Sequence, residues 1–575
     1  MRKRKIRMAL ALICVMGLLL SGCGDWTEPD ETAPTISEAK AGTYRHQGVP
    51  DFEDMTYTRP DMDQYAALVQ LICTKAAAED SDIDSGTPGV RAYYVEDLTD
   101  SVLDLYDAYD SFYTMESLAN IHYSLNLRDT VYQAEYDYCI EQESAVEQGL
   151  EDVYRALAAS PLREDLESES YFGDGFFDSY DGDSFWTQEL SDLTDQENQL
   201  ITQCYAAMGD LADLNPYSDD YYAQGRNTLG PLLVELVKVR QELASYLGYD
   251  SYGDFAFDYY YGRDYSLSQA EDYLERIRQE LTPLYRALNE SDFWYTAYGN
   301  STPDCLAYLQ SVTEAVGGKL RSAYTLMTTK HLYDITPSSY KYNGSFEIYL
   351  TSYSAPFVFL NPAENITDCL SLTHEFGHFA SDYFSQGSSY TTDVAEIFSQ
   401  GLEYLSLCYA PEDTPELDTL RRLKLADSLN TYVEQAAYAK FECELYAMDP
   451  EELTADSLND LYNEICREYG FDSWNWQEGD WFTITHFFTS PYYIMSYVTS
   501  NDAAMQLYEM ELSDRGAGLQ TYTDYLSGGQ PQFMAFVQEA GFQSPFDVIR
   551  LKQVRNTLET GLDLSETAEN LPKAG

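Results

Sequence analysis

The sequence predicts a mainly α-helical protein with one small β-element, and two observations carry that reading. From about Asp61 onward apolar residues recur at spacings of three and four, as at Tyr65, Leu68, Leu71 and Ile72 and again at Leu98, Leu103 and Tyr106. That is the period of a helix with one buried face. One stretch, Tyr340–Asn361, breaks the period. Its segments Phe346–Leu350 and Phe357–Leu360 are short, aromatic and β-branched, with Asn343-Gly344 and Ser354-Ala355-Pro356 as turn signals. No repeat with a period of roughly 20–50 residues is present, which argues against a solenoid.

The chain has 575 residues, 97 of them Asp or Glu against 34 Lys or Arg, for a formal net charge of −63. Hydrophobic residues make up 44%, far above what a disordered acidic tail carries. A surface this acidic repels polyphosphate, so nucleic acid is excluded as a partner.

Taken in order, the first element is a leader. Met1–Arg7 holds five basic and no acidic residues, and Met8–Leu20 is an apolar run of 13. That run is too short to span a bilayer and suits the core of a signal peptide. Leu20-Ser21-Gly22-Cys23 follows and resembles a bacterial lipobox. The expectation is a lipoprotein signal over 1–22, removed before a lipidated Cys23. The protein would then be anchored to the outer face of the cytoplasmic membrane. The mature chain would carry 29 basic residues against 97 acidic ones, a net charge of −68. No later stretch approaches about 18 uninterrupted apolar residues, so the lipid would be the only membrane attachment.

Residues 23–60 are polar and rich in Thr, Glu, Asp and Pro, and read as a flexible tether. Residues 61–241 read as an N-terminal helical domain. Within it Asp165–Phe185 mixes Ser, Asp, Gly and Tyr like a long loop, and helical patterns resume over Leu190–Met208 and Leu229–Leu247. Cys73, Cys139, Cys204, Cys305, Cys369, Cys408, Cys443 and Cys466 are scattered without a CxxC pair. That argues against a Cys-ligated zinc site and a disulfide scaffold.

The chemistry gathers directly after the β-element. Residues 374–378 read His374-Glu375-Phe376-Gly377-His378, an H-E-x-x-H. On a helix, positions i and i+4 share a face, so both imidazoles can reach one Zn²⁺ while Glu375 addresses a water. With six His in the whole chain, a chance match is expected roughly a few times in a thousand such chains. Thr367-Asp368 is the helix start signal. A catalytic zinc needs a third ligand. Candidates come in Asp393–Glu403, where Glu396 lies 18 residues after His378 and Glu403 seven further on, on the same face. One of these two can ligate while the other holds a ligand imidazole, and Asp393 is a weaker alternative. A structural zinc would close with four Cys or His ligands, and no Cys is placed for that.

The stretches SAPFVFLN, LSLTHEFGH and VAEIFSQGLE together resemble the oligoendopeptidase F and thimet-like metallopeptidases of family M3. Glu242–Ser266 resembles the segment leading into that family's catalytic domain, and Tyr525–Phe546 resembles its C-terminal end. The resemblance implies a two-lobed helical zincin-type body with a small β-sheet beside the active-site helix, a deep substrate channel and a catalytic domain over 242–575. It implies one zinc ion held by His374, His378 and Glu396, with Glu375 as the residue that activates water. It also implies a His followed by tyrosines that contact the substrate and the developing oxyanion. In WFTITHFFTSPYYIMSYVTS these are His486 and, among Tyr492, Tyr493 and Tyr497, most nearly Tyr497 and Tyr493. Oligopeptides are the expected substrates, lying along the β-element like an added strand. The rival reading is a peptide-binding surface lipoprotein without catalysis.

Overall fold

The computed structural model describes residues 48–564 apart from 79–82, 84–88, 169–170, 182–186, 212–213, 295–303, 388–389 and 473–475. The signal segment 1–22, Cys23 and the tether up to residue 47 lie outside the described residues. The chain is mostly helical with one three-stranded sheet, as expected. It divides into two compact units: residues up to Thr187 with Thr325–Asn361, and Gln188–Tyr324 with Pro362 onward. This division is drawn differently from the single boundary at 241/242 read from the sequence. Among the described residues no helix is long and apolar enough to cross a membrane.

The first unit is built on α1 (Met62–Ala76), α2 (Val90–Leu125) and α3 (Thr130–Ala158). Asp61 and Asp129 cap α1 and α3 by accepting backbone N–H groups of the first turn. Leu98, Val102 and Leu105 of α2 bury against Val146, Val153 and Leu157 of α3 and Ile72 of α1. The sheet, in the order β1-β3-β2, pairs β1 (Tyr333–Asp334) parallel to β3 (Ala355–Leu360), and β3 antiparallel to β2 (Ser345–Leu350). Phe346 and Phe359 stack across the β2–β3 pair with centroids 4.6 Å apart.

Two sequence expectations are corrected in this unit. Residues 52–60 are not a tether. Phe52–Asp54 forms a short 3₁₀ turn, and the Phe52 N–H donates to the Lys330 carbonyl at 2.9 Å. The Phe52 ring lies 4.3 Å from that of Phe357, Met55 is buried, and the Tyr57 hydroxyl donates to Glu135 at 2.7 Å. The half-buried Phe52 and the buried Met55 outweigh their polar neighbours, because fully burying one large apolar side chain is worth roughly 1.5–3 kcal/mol. Nor is 165–185 all loop. Arg163–Leu166 and Phe176–Tyr180 are helical turns, with Phe172, Phe177 and Tyr180 buried in the core of the unit.

The second unit contains α4 (Gln188–Leu211), α5 (Asp219–Tyr246), α6 (Leu267–Glu290), α7 (Cys305–Val316), α8 (Asp368–Ser385), α9 (Thr392–Tyr409), α10 (Leu417–Ala447), α11 (Ala455–Glu468) and α12 (Ile494–Ser513). The helices α8, α9 and α12 pack in sequence through its centre. α8 starts where the sequence signal puts it. The Asp368 carboxylate accepts the N–H groups of Ala363 and Asn365, closing the turn ahead of the helix. The helix stops at Gln386 and Gly387, both with positive φ, which frees the chain to turn back into α9.

Candidate active site

The H-E-x-x-H helix approaches α9 at backbone contact, and Gly377 permits it. A Cβ at that position would stand 2.5 Å from the Phe398 carbonyl oxygen and 2.6 Å from the Ser399 Cα. Close approach brings His374 and His378 of α8 to Glu396 of α9. His374 Nε2 lies 3.4 Å and His378 Nε2 3.6 Å from Glu396 Oε2. These three residues are the one group of three or more His, Cys, Asp or Glu donors that converges among the described residues. A tetrahedral ion with ligand bonds of about 2.0–2.1 Å needs donors roughly 3.3 Å apart, so the spacing and the His₂Glu set fit Zn²⁺.

Around the three donors lies a layer that orients them. His374 Nδ1 is 2.8 Å from Glu403 Oε1, two helical turns beyond Glu396 on α9. Lys424 of α10 pairs with the other oxygen, Glu403 Oε2, at 2.8 Å, and both residues are buried. Burial opposes ionisation of Glu403, but Lys424 and His374 outweigh it and hold the carboxyl below its ordinary value. An ionised Glu403 can only accept, so Nδ1 carries a proton and Nε2 is the ring nitrogen turned toward Glu396. Burial likewise pulls the His374 pKa down, yet the hydrogen bond it donates to Glu403 and the nearby carboxylates carry it up to about 9. Glu396 resists burial through His378 and His374 and falls to about 2. Its two oxygens are separately engaged: Ser399 Oγ donates to Oε2 at 2.7 Å and the Tyr493 hydroxyl to Oε1 at 2.9 Å. Glu375 is buried on the same helix.

His486 opens a four-residue helical turn, His486–Thr489. Arg240 of α5 steadies that turn by donating to the carbonyls of Phe487 at 3.3 Å and Phe488 at 2.5 Å. The His486 Nε2 stands 3.4 Å from the Tyr497 hydroxyl, and the ring packs 5.1 Å from that of Tyr493. Burial drives the His486 pKa down to about 4 against a weak pull from Glu396, so the ring is neutral at pH 7.

Two family models match the chain: the peptidase M3 N-terminal domain over residues 52–183 and peptidase family M3 over 322–553. The chain belongs to peptidase family M3. It is 25% identical over 228 residues to an oligoendopeptidase F homolog of Borreliella burgdorferi, covering 37% of this chain and 35% of that protein. It is 26% identical over 218 residues to oligopeptidase PepF of Bacillus subtilis, covering 35% and 32%. The aligned stretch thus spans about a third of the length of these curated relatives. The fold matches a crystal structure assigned to an oligoendopeptidase F with a TM-score of 0.72 at 22% identity, over 89% of this chain and 99% of that one.

In this M3 chain the residues singled out from sequence separate by position. His374, His378, Glu375 and Glu396 come together, with Glu403 behind His374. Asp393 does not join them: its carboxylate is committed to Arg263 at 3.2 Å and to the Tyr265 hydroxyl at 2.7 Å. Of the three competing tyrosines, Tyr492 directs its hydroxyl toward the Glu442 carbonyl, 3.5 Å away. Tyr493 and Tyr497 turn inward to different partners, Glu396 and His486. Sequence reasoning passed over Gly377, Ser399, Lys424 and Arg240. Only Gly377 had a signal, as a small residue inside the motif.

Proposed function

We propose that this protein is a zinc-dependent endopeptidase that hydrolyses short oligopeptides. The observation carrying the reading is the convergence of His374 Nε2, His378 Nε2 and Glu396 Oε2 within 3.6 Å, beside a buried Glu375 on the same helix. His374, His378 and Glu396 would hold the ion, with Glu403 and Tyr493 fixing the orientation of His374 and Glu396. When bound, the ion supplies Lewis-acid polarisation of a carbonyl and makes water acidic enough to ionise near neutral pH.

Glu375 acts as general base, taking a proton from the attacking water and returning it to the leaving amine. His486 and Tyr497 act as hydrogen-bond donors to the oxygen on which negative charge develops. Each such donor is worth on the order of a few kcal/mol. A neutral His486 carries one N–H, so its pairing with the Tyr497 hydroxyl decides which ring nitrogen keeps the proton. No acyl-enzyme is required.

The reading extends to location. The leader up to Gly22 is removed, and a lipid on Cys23 anchors the enzyme to the outer face of the cytoplasmic membrane. Support comes from the basic start, the 13-residue apolar run and the Leu20–Cys23 motif. Labelled fatty acid should enter the full chain and fail to enter Cys23→Ser.

Digestion of a mixed peptide library with and without a chelator, read by mass spectrometry, tests the activity. Chelator-sensitive cleavage inside short peptides is expected. Peptide binding without cleavage would overturn the reading in favour of a binding lipoprotein.

A further inference from the structure

Tyr492 has a backbone φ of +69°, a left-handed conformation that bulky residues seldom adopt. Its neighbours hold it there from three sides. The Tyr261 hydroxyl donates to the Pro491 carbonyl at 2.9 Å. The Tyr492 N–H donates to Glu442 Oε1 at 2.9 Å. The Tyr492 carbonyl accepts from Arg263 Nη2 at 3.0 Å. Arg263 is itself locked: its guanidinium lies 4.4 Å from the ring centres of both Phe257 and Tyr261, and its side chain is fully buried against Asp393. It also donates to Ser496 Oγ at 2.9 Å, and Ser496 in turn donates to Asp393.

The consequence is one of geometry. Asp393 lies three residues ahead of Glu396 on α9, and Ser496 lies between Tyr493 and Tyr497. Arg263 therefore ties the helix carrying Glu396 to the turn from which both tyrosines depart. Released, a tyrosine at this position would relax to negative φ and swing the following residues away.

We propose that Arg263, Tyr261 and Glu442 are positioning residues, fixing the left-handed turn at Tyr492 and through it the placement of Tyr493 against Glu396 and of Tyr497 against His486. The assignment rests on the hydrolytic reading above for its kinetic consequence, but not for its structural one. Misplacing a catalytic group by about 1 Å costs on the order of 100-fold in rate.

The test uses Tyr261→Phe, Glu442→Ala and Glu442→Gln in the full chain, alone and combined with His486→Ala. Arg263→Lys is added if it folds; the other variants decide without it. Tyr261→Phe and Glu442→Ala should lower kcat roughly 10- to 100-fold, leaving KM and, in zinc-saturated protein, the zinc content within about twofold. Glu442→Gln should restore kcat, because an amide oxygen accepts the Tyr492 N–H equally well. Adding either change to His486→Ala should cost less than the two separate losses combined, since the turn acts in part by placing Tyr497 against that ring. Unchanged kcat in both folded variants, or fully additive losses in the His486→Ala background, overturns the assignment. Imidazole Cε1 NMR signals of ¹³C-labelled histidine supply a readout independent of turnover. A His486 signal that shifts in Glu442→Ala supports the proposal even if the wild-type protein cleaves nothing, and an unshifted signal sinks it even if the wild-type protein is active.

Discussion

Glu403 accepts the Nδ1 proton of His374 at 2.8 Å while its other oxygen meets Lys424 at the same distance. The carboxylate thereby fixes the tautomer of a proposed ligand without touching the ion. Glu403→Gln keeps the shape and removes the charge, and losses of about 10- to 100-fold in metal affinity are typical for such partners. Competition against a chromogenic chelator measures it. Because His374 holds a proton up to about pH 9, zinc binding should also release one proton and tighten about tenfold per pH unit below that value.

Glu375→Gln separates binding from chemistry. The amide fills the same space in the buried helix face but cannot take a proton. Zinc content by elemental analysis should match the wild type, while peptide turnover falls by at least about 10²–10⁴-fold. Substantial hydrolysis by a zinc-loaded Glu375→Gln protein would rule out Glu375 as the base.

Gly377 sets the distance between two helices. Gly377→Ala places a methyl group where the Phe398 carbonyl stands, so α8 must move off α9 and draw His374 and His378 away from Glu396. Overpacking of this kind costs about 1–3 kcal/mol. The variant should melt several degrees lower and bind zinc more weakly, as read by calorimetry with and without the metal.

His486 makes stability depend on pH. Its folded pKa of about 4 lies below the ordinary 6.5, so between those values the unfolded chain binds more protons than the native one. Stability is therefore complete above pH 6.5 and is lost as the pH falls through 4. The contribution is at most about 3.5 kcal/mol at about 1.4 kcal/mol per unit, because the ring is only partly buried. Urea titrations from pH 7 to 4 should show this slope, and His486→Gln should flatten it. A slope unchanged by that substitution would contradict the burial of a neutral ring.

Much of the fold was legible from the chain because its signals are local. The three-to-four apolar spacing marked the helices, and two short aromatic, β-branched segments with a turn signal at Ser354 between them marked the hairpin. Where local polarity and long-range packing disagreed, packing prevailed: Phe52 and Met55 pull the supposed tether into the first unit, and Phe172, Phe177 and Tyr180 bury a stretch that reads as loop.

For the candidate site the sequence by itself determined the pair His374 and His378 on one face, the Glu375 between them, and Glu396 and Glu403 on a common face of the next helix. Helical period alone requires those relations. Which carboxylate meets both imidazoles, and which tyrosine meets Glu396 and which His486, depended on how separate segments pack. Spacing offered Glu396 and Glu403 on equal terms, with Asp393 as a weaker alternative. Only the tertiary structure gave Asp393 a buried arginine as partner, Glu403 a buried lysine, and Glu396 the two histidines. The reason is electrostatic: a buried carboxylate must find a cation or donors to remain ionised. Those partners come from α10, from α8 and from the segment before α6, at sequence separations that no local pattern records.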